Sequence, residues 1–234
     1  MIEFGHGTHV GLRRTRNEDT YYADASIGLF LVADGMGGHQ HGEVASARVR
    51  DRVTDLVLQK HGLADAIRDA GKDLYEHARS VNEPLPMGTT IASLQLDSDG
   101  YEVAWVGDSR IYLWHSGRLK QISHDHSLVQ ELVAAGRLAP EQASVHPQRN
   151  VVTQALGITA SDQLHVGMAR GRLEVGMRFL VCSDGLTEEV GDDRLGQLIA
   201  RNDISAQECV DHLLVAALDA AGKDNITAIV VRVN

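Results

Sequence analysis

Cysteine is nearly missing from this chain: Cys182 and Cys209 are the only two in 234 residues. Two thiols cannot build a disulfide framework, so an oxidising compartment is not indicated. Proline is scarce at 4 residues and aromatics make up 4% of the chain. No linker, low-complexity segment or internal repeat interrupts it. Basic residues number 22 against 32 acidic ones, a formal net charge of −10. That balance argues against nucleic acid as a partner, because phosphate neutralisation demands clustered Lys and Arg. No apolar run approaches the ~20 residues that span a bilayer. Met1 to Val10 has no basic segment followed by an apolar one, so no signal peptide is expected. The expectation is a cytoplasmic monomer without membrane or nucleic-acid contacts, built as one domain over residues 1–234.

Glycine, by contrast, is frequent at 23 residues, which suits many tight turns. Gly28 to Ala33 reads as a buried strand that runs straight into Asp34. Glu43 to Gln59 is helical, with Ala45, Val49, Val53 and Leu56 on one face. Leu63 to Ser80 repeats the pattern through Ile67, Ala70, Leu74 and Ala78. Thr90 to Leu96 alternates as a half-buried strand would, and Tyr101 to Val106 follows across an Asp-Ser-Asp-Gly turn. Ile111 to His115 and Arg118 to Ile122 flank Ser116-Gly117 as a hairpin. Leu128 to Ala135 is a short helix stopped by Gly136. Arg178 to Cys182 is another strand leading to an aspartate. Ser205 and Glu208 form a capping box for a helix reaching Ala221, with Gly222 as its stop. Ile226 to Val233 is apolar on both faces and therefore central. Strands run together in the middle and the long helices sit towards the two ends. This order favours an α+β fold with antiparallel sheets and helices outside.

Four aspartates share a setting. Asp34 ends FLVAD, Asp184 ends FLVCSD, Asp224 precedes NITAIVV, and Asp125 lies in SHDHS after the hairpin. A carboxylate at the end of a buried strand is costly unless a cation or donor meets it. Such hard oxygen ligands suit Mg²⁺ or Mn²⁺. Gly after Asp34 and Asp184 lets the backbone turn and lets a carbonyl reach an ion. The plainer reading is that Asp-Gly is a turn signal. For Asp125 the plainer reading is that Ser123 or Asp125 caps the following helix.

Eight motifs occur in order: Arg14-Thr15-Arg16-Asn17-Glu18-Asp19, VADGMGG (32–38), MGTT (87–90), VGDSR (106–110), DHS (125–127), HPQRNVVTQALG (146–157), CSDGL (182–186) and KDNITAIVV (223–231). Together they resemble the motif series of bacterial PP2C-type phosphatases of the PPM family, from about residue 5 to the end. The resemblance implies a four-layer α-β-β-α sandwich with two central, mainly antiparallel sheets. It implies two Mn²⁺ or Mg²⁺ ions in a cleft between the sheets, with a weaker third in bacterial members. Asp34 resembles the carboxylate bridging both ions, and the Gly35 carbonyl a ligand of one. Asp184 and Asp224 resemble ligands of the other, and Asp125 with Asp184 those of the third. Glu18 and Asp19 resemble groups acting through bound water, and Arg14 the arginine that grips the substrate phosphate. The implied reaction is hydrolysis of phosphoserine and phosphothreonine on proteins by a water bridging two metal ions. The implied partners are phosphoprotein substrates and an opposing Ser/Thr kinase.

The chain departs from eukaryotic relatives at Met36, where those carry a histidine proposed as general acid. A thioether donates no proton, which leaves a metal-bound water or His39 for that role. His124 and His126 read as structural, since imidazole suits softer metals. Asp108 reads as a buried hydrogen-bonding aspartate with partners in its Ser and Arg neighbours. Six residues after Cys182 stands Glu188, and six after Cys209 stands Val215, so the C-x₅-R phosphatase loop is absent. Val32 and Cys182 stand two before Asp34 and Asp184, which excludes the Asp-x-Asp pattern of phosphoaspartate enzymes. No G-x-x-x-x-G-K-[ST] loop is present. Two rivals are a catalytically dead relative that binds a partner and a switch acting on one regulatory protein. The retained Arg14, Asp34, Asp184 and Asp224 speak against the first, and the arginine-containing N-terminal motif with HPQRN against the second. Residues 136–157, polar and carrying Pro140 and Pro147, read as a flap that selects protein substrates.

Overall fold

The structure, a computed structural model, describes residues 1–37, 41–80, 87–98 and 100–234. Three strands open the chain: β1 (Ile2–His9), β2 (Asp19–Asp24) and β3 (Leu29–Met36). Two long helices follow, α1 (His41–Leu58) and α2 (Leu63–Ser80). Next come β4 (Gly88–Thr89), β5 (Ile91–Leu96), β6 (Gly100–Val106), β7 (Arg110–His115) and β8 (Arg118–Gln121). Short helices α3 (Leu128–Ala134) and α4 (Pro140–Ala143) lead to β9 (Gly167–Arg172) and β10 (Arg178–Cys182). The chain closes through α5 (Asp184–Thr187), α6 (Asp192–Ile199), α7 (Ala206–Ala220) and β11 (Ile226–Val233).

The strands form two sheets. One has the order β1-β11-β10-β7-β8; the other runs β2-β3-β5-β6-β9, with β4 added on β3. Every pairing is antiparallel. Three apolar cores show how the sheets stack. Leu29, Leu31 and Ile91 pack with Val49, Val53, Ile67 and Leu74 of α1 and α2. Phe30, Val32, Ala92 and Leu94 face Phe179, Val181, Ile229 and Val231 across the gap between sheets. Leu180, Ala228 and Val230 pack with Leu195, Val210 and Leu213 of α6 and α7. Three cores separate four layers, so the fold is an α-β-β-α sandwich.

This stacking explains one difference from the sequence reading. The strand at Thr90 to Leu96 is not half-buried: Ile91 to Leu94 are inaccessible, because helices cover one face and the second sheet the other. Its even alternation records two different burial surfaces, with Ser93 satisfied by donating to the Ala104 carbonyl at 2.7 Å. Strand β3 needs no alternation for the same reason. The Ser116-Gly117 turn has both residues at positive φ (51° and 79°), as the tightest hairpins require. The Ser205–Glu208 capping box is present, with Ser205 Oγ accepting from the Glu208 N–H at 3.1 Å.

Candidate active site

Antiparallel neighbours alternate in direction, so one end of the sandwich collects particular strand ends. The C-terminal ends of β3, β6 and β10 meet the N-terminal ends of β2, β5, β7 and β11 there. Asp34 lies near the end of β3, opposite Asp19 at the start of β2. Asp184 follows β10, Asp224 precedes β11, and Asp108 sits between β6 and β7. These groups converge on a cleft lined by Arg14, Glu18, Asp34, Gly35, Asp108, Asp184 and Asp224. A side pocket continues from it past Asp108 and Asp184 to Asp125, Arg149 and Glu188.

The backbone around Asp34 is tightly held. Its carbonyl accepts from the Thr90 N–H at 2.8 Å and from Thr89 Oγ1 at 2.8 Å, and its N–H donates to Thr90 Oγ1 at 3.2 Å. Thr90 Oγ1 is itself 2.7 Å from Ser109 Oγ, which ties the Asp34 strand to the turn bearing Asp108. Gly35 is required: a Cβ there would fall 2.1 Å from the Gly42 carbonyl oxygen at the start of α1. The close approach lets the Gly35 N–H donate to the Glu18 carbonyl at 3.1 Å. Asp19 is buried, and its Oδ2 accepts from Ser183 and Thr227 hydroxyls, each at 2.7 Å.

The electrostatics are those of an overcrowded acid cluster. Desolvation, then repulsion from Asp19, Asp184 and Asp108, pushes the Asp34 carboxyl well above the usual range. Desolvation also raises Asp108, with Asp184 and Asp125 adding repulsion. Asp19 and Asp184 are each pushed up to about 6, mainly by desolvation. Asp19 Oδ1 and Asp184 Oδ1 are buried without a hydrogen-bond partner. Carboxylates in this state call for added positive charge.

Two arginines answer part of that demand. Arg14 donates Nε and Nη2 to Asp224 at 2.8 and 2.6 Å. Arg110 donates Nε and Nη2 to Asp125 at 2.7–3.1 Å, and Gln121 adds a bond at 2.8 Å. Asp125 therefore lies beside the cleft, closed by a guanidinium fork. It does not cap α3, whose N-cap is Ser127. The sequence reading gave Asp108 partners in Ser109 and Arg110; both turn elsewhere, to Thr90 and Asp125, and Asp108 faces the cleft. Asp108 is thus the site residue that sequence reasoning set aside. Its setting, a strand end followed by a turn, was the same signal that marked Asp34 and Asp184. Met36 lines the cleft; His39 lies outside the described residues. Among the described residues, no three acidic, histidine or cysteine side chains close around one point. The carboxylates instead line the walls of an open cleft.

Comparison with known proteins agrees with this geometry. The family model described as protein phosphatase 2C matches residues 6–132. The chain is 34% identical over 236 residues to the serine/threonine protein phosphatase PstP of Mycobacterium tuberculosis, covering 98% of this chain and 45% of that protein. It thus spans about half the length of that relative. It is 34% identical over 241 residues to protein phosphatase PhpP of Streptococcus pneumoniae, covering 97% of this chain and 96% of the relative. A crystal structure of the PstP catalytic domain in complex with two manganese ions superposes with a TM-score of 0.86 at 30% identity, covering 100% of this chain and 99% of that one. With matching sequence over nearly its whole length and a matching fold, this chain belongs to the protein phosphatase 2C family.

Proposed function

We propose that this chain is a metal-dependent phosphatase that hydrolyses phosphoserine and phosphothreonine on proteins. The observation that carries the reading is the surplus of carboxylates at one end of both sheets, in a chain of this family. The residues fit a pair of Mn²⁺ or Mg²⁺ ions. The acidic side chains lining the cleft offer oxygen donors, two buried carboxylate oxygens lack partners, and Gly35 lines the cleft beside Asp34. Side chains alone would not fill either coordination sphere, so water would complete each one, as these cations tolerate. Asp34 would bridge both ions, with the Gly35 carbonyl on one and Asp184 and Asp224 on the other. Glu18 and Asp19 would act through water. When bound, such ions make hydroxide available near neutral pH and neutralise phosphate charge. Arg14 orients the phosphate through its planar fork. A weaker third ion fits Asp184 with Asp108 better than with Asp125, whose oxygens are held by Arg110 and Gln121.

Residues 1–234 act as a single catalytic unit, with 136–157 as a flap at the cleft. No helix among the described residues is long and apolar enough to cross a membrane. The proposed setting is a cytoplasmic monomer that reverses a Ser/Thr protein kinase. The test is phosphate release from a phosphothreonine peptide. Turnover is expected with Mn²⁺ or Mg²⁺, and loss is expected both in EDTA and in Asp34→Asn. Undiminished turnover in chelator would overturn the reading.

A further inference from the structure

The turn Gly107–Arg110 joins β6 to β7 and carries Asp108 into the cleft. Three clamps hold it. The Gly107 carbonyl accepts from the His126 N–H at 2.9 Å, and the Gly107 N–H donates to His126 Nδ1 at 3.2 Å. Ser109 Oγ lies 2.7 Å from Thr90 Oγ1. Arg110 forks onto Asp125, whose side chain is only 6% exposed. The third clamp is braced from behind. Arg110 Nη1 donates to Tyr112 Oη at 3.2 Å, and that hydroxyl donates to Asp192 Oδ1 at 3.1 Å, at the first turn of α6.

We propose that Asp125 and Arg110 are positioning residues: their fork fixes the Gly107–Arg110 turn and thereby aims the Asp108 carboxylate at the cleft beside Asp184. The proposal rests on the metal-dependent reading above and gives Asp125 a task other than ligand. An arginine fork occupies both carboxylate oxygens, and Gln121 takes a further lone pair on Oδ1. A divalent ion at ligand distance from Asp125 would also face the Arg110 guanidinium, a like charge in poorly solvated surroundings. The pair is instead self-neutralising, and its rigidity passes along two residues of backbone to Asp108. Groups that orient a ligand typically alter ion affinity by about 10–100-fold when removed.

The two roles for Asp125 differ in the sign of one effect. If Asp125 were a ligand, Arg110→Ala would free its carboxylate and tighten Mn²⁺ binding, while Asp125→Ala would weaken it. If the pair positions Asp108, both changes weaken the weakest Mn²⁺ step by about 10-fold or more, and the double mutant is no worse than either single. Calorimetric titration of Mn²⁺ into the chelator-stripped full chain reads this directly, beside the Mn²⁺ dependence of aryl phosphate turnover. Arg110→Lys, which keeps the charge but not the fork, should restore only part of the affinity. Tyr112→Phe, which removes the rear brace, should shift it less and in the same direction. Should Arg110→Ala fail to fold, these two variants decide, and unchanged Mn²⁺ binding in both overturns the proposal. Opposite signs for Arg110→Ala and Asp125→Ala also overturn it while leaving the metal-dependent reading intact. Wild-type protein that binds no Mn²⁺ overturns that reading and this proposal together.

Discussion

Arg14 offers both faces of its fork to Asp224, the same geometry it would offer a phosphate. The Arg14 side chain is 55% exposed, so under the proposed function Asp224 and an incoming phosphate would compete for its guanidinium. Arg14→Ala is therefore expected to raise KM, with a loss of about 1.5–3 kcal/mol in kcat/KM for the missing charge-assisted bonds. Mn²⁺ affinity should be retained or tightened, because the change releases the Asp224 carboxylate and removes none of the cleft's oxygen donors. Steady-state kinetics on a phosphopeptide with parallel Mn²⁺ titration checks this, and loss of ion binding would refute the role. At this scale the sequence was legible where an aspartate abuts an apolar strand, as Asp34, Asp184 and Asp224 do. It was misleading about the partners of Asp108, and it did not reveal the Arg110 fork on Asp125. Adjacent residues in sequence look like partners, yet the turn sends Ser109 to Thr90 and Arg110 to Asp125. Nothing in local composition encodes that exchange.

Among the elements, the long helices and the strands β3, β5, β7, β10 and β11 were legible because apolar residues recur at helical or strand spacing. Strands β1 and β9 were not, and their glycines explain why. A Cβ at Gly5 would fall 2.4 Å from the Gln207 backbone, and one at Gly167 or Gly171 within 2.5 Å of the Trp105 or Tyr101 ring. Close approach by a helix or an aromatic ring thus replaces the β-branched residues that mark a strand. The segment 136–157, the proposed flap, shows a different division. Its first part, through α4 and Val145, is largely exposed, whereas its exit is stitched to the site. Leu156 exchanges backbone hydrogen bonds with Thr89 at 2.9 and 3.0 Å, and the Thr153 N–H donates to the His126 carbonyl at 2.8 Å. A fixed exit holds Asn150 and Val152 at the cleft, and under the proposed function the exposed part would meet whatever surrounds a phosphorylated residue. Exchanging residues 136–157 for those of a relative should therefore change preference among phosphopeptides more than turnover of a small aryl phosphate. Equal effects on both substrates, measured as kcat/KM ratios, would count against a selective flap.

For the whole molecule, the concentration of acid at one end of the sandwich couples folding to pH and to cations. Asp19 and Asp184 are each raised to about 6, and Asp34 and Asp108 are raised as well, chiefly by desolvation. The unfolded chain ionises these groups at an ordinary aspartate pKa, near about 4. Between the two values the native state holds more protons than the unfolded state. The stability slope with pH is then negative: the contribution is fully present below the unfolded pKa and is lost as pH rises through the folded one. Carboxylates held low at the surface, such as Asp203 at about 2, act in the opposite sense but finish titrating below this window; His126, held low by burial, opposes the trend within it as one group against four. Chelator-treated protein should accordingly melt at progressively lower temperature as pH is raised from about 5 to about 7. Divalent cations that bind only the native cluster reverse this, since ionised carboxylates bind them best and ligand binding adds RT ln(1 + [L]/Kd). With saturating Mn²⁺ the fall in Tm over the same range should flatten or change sign. Thermal melts at matched ionic strength, with EDTA and with Mn²⁺, separate the two curves. A Tm in EDTA that rises from pH 5 to pH 7 would mean that the cluster is not held protonated by burial, and the electrostatic account of the cleft would fall with it.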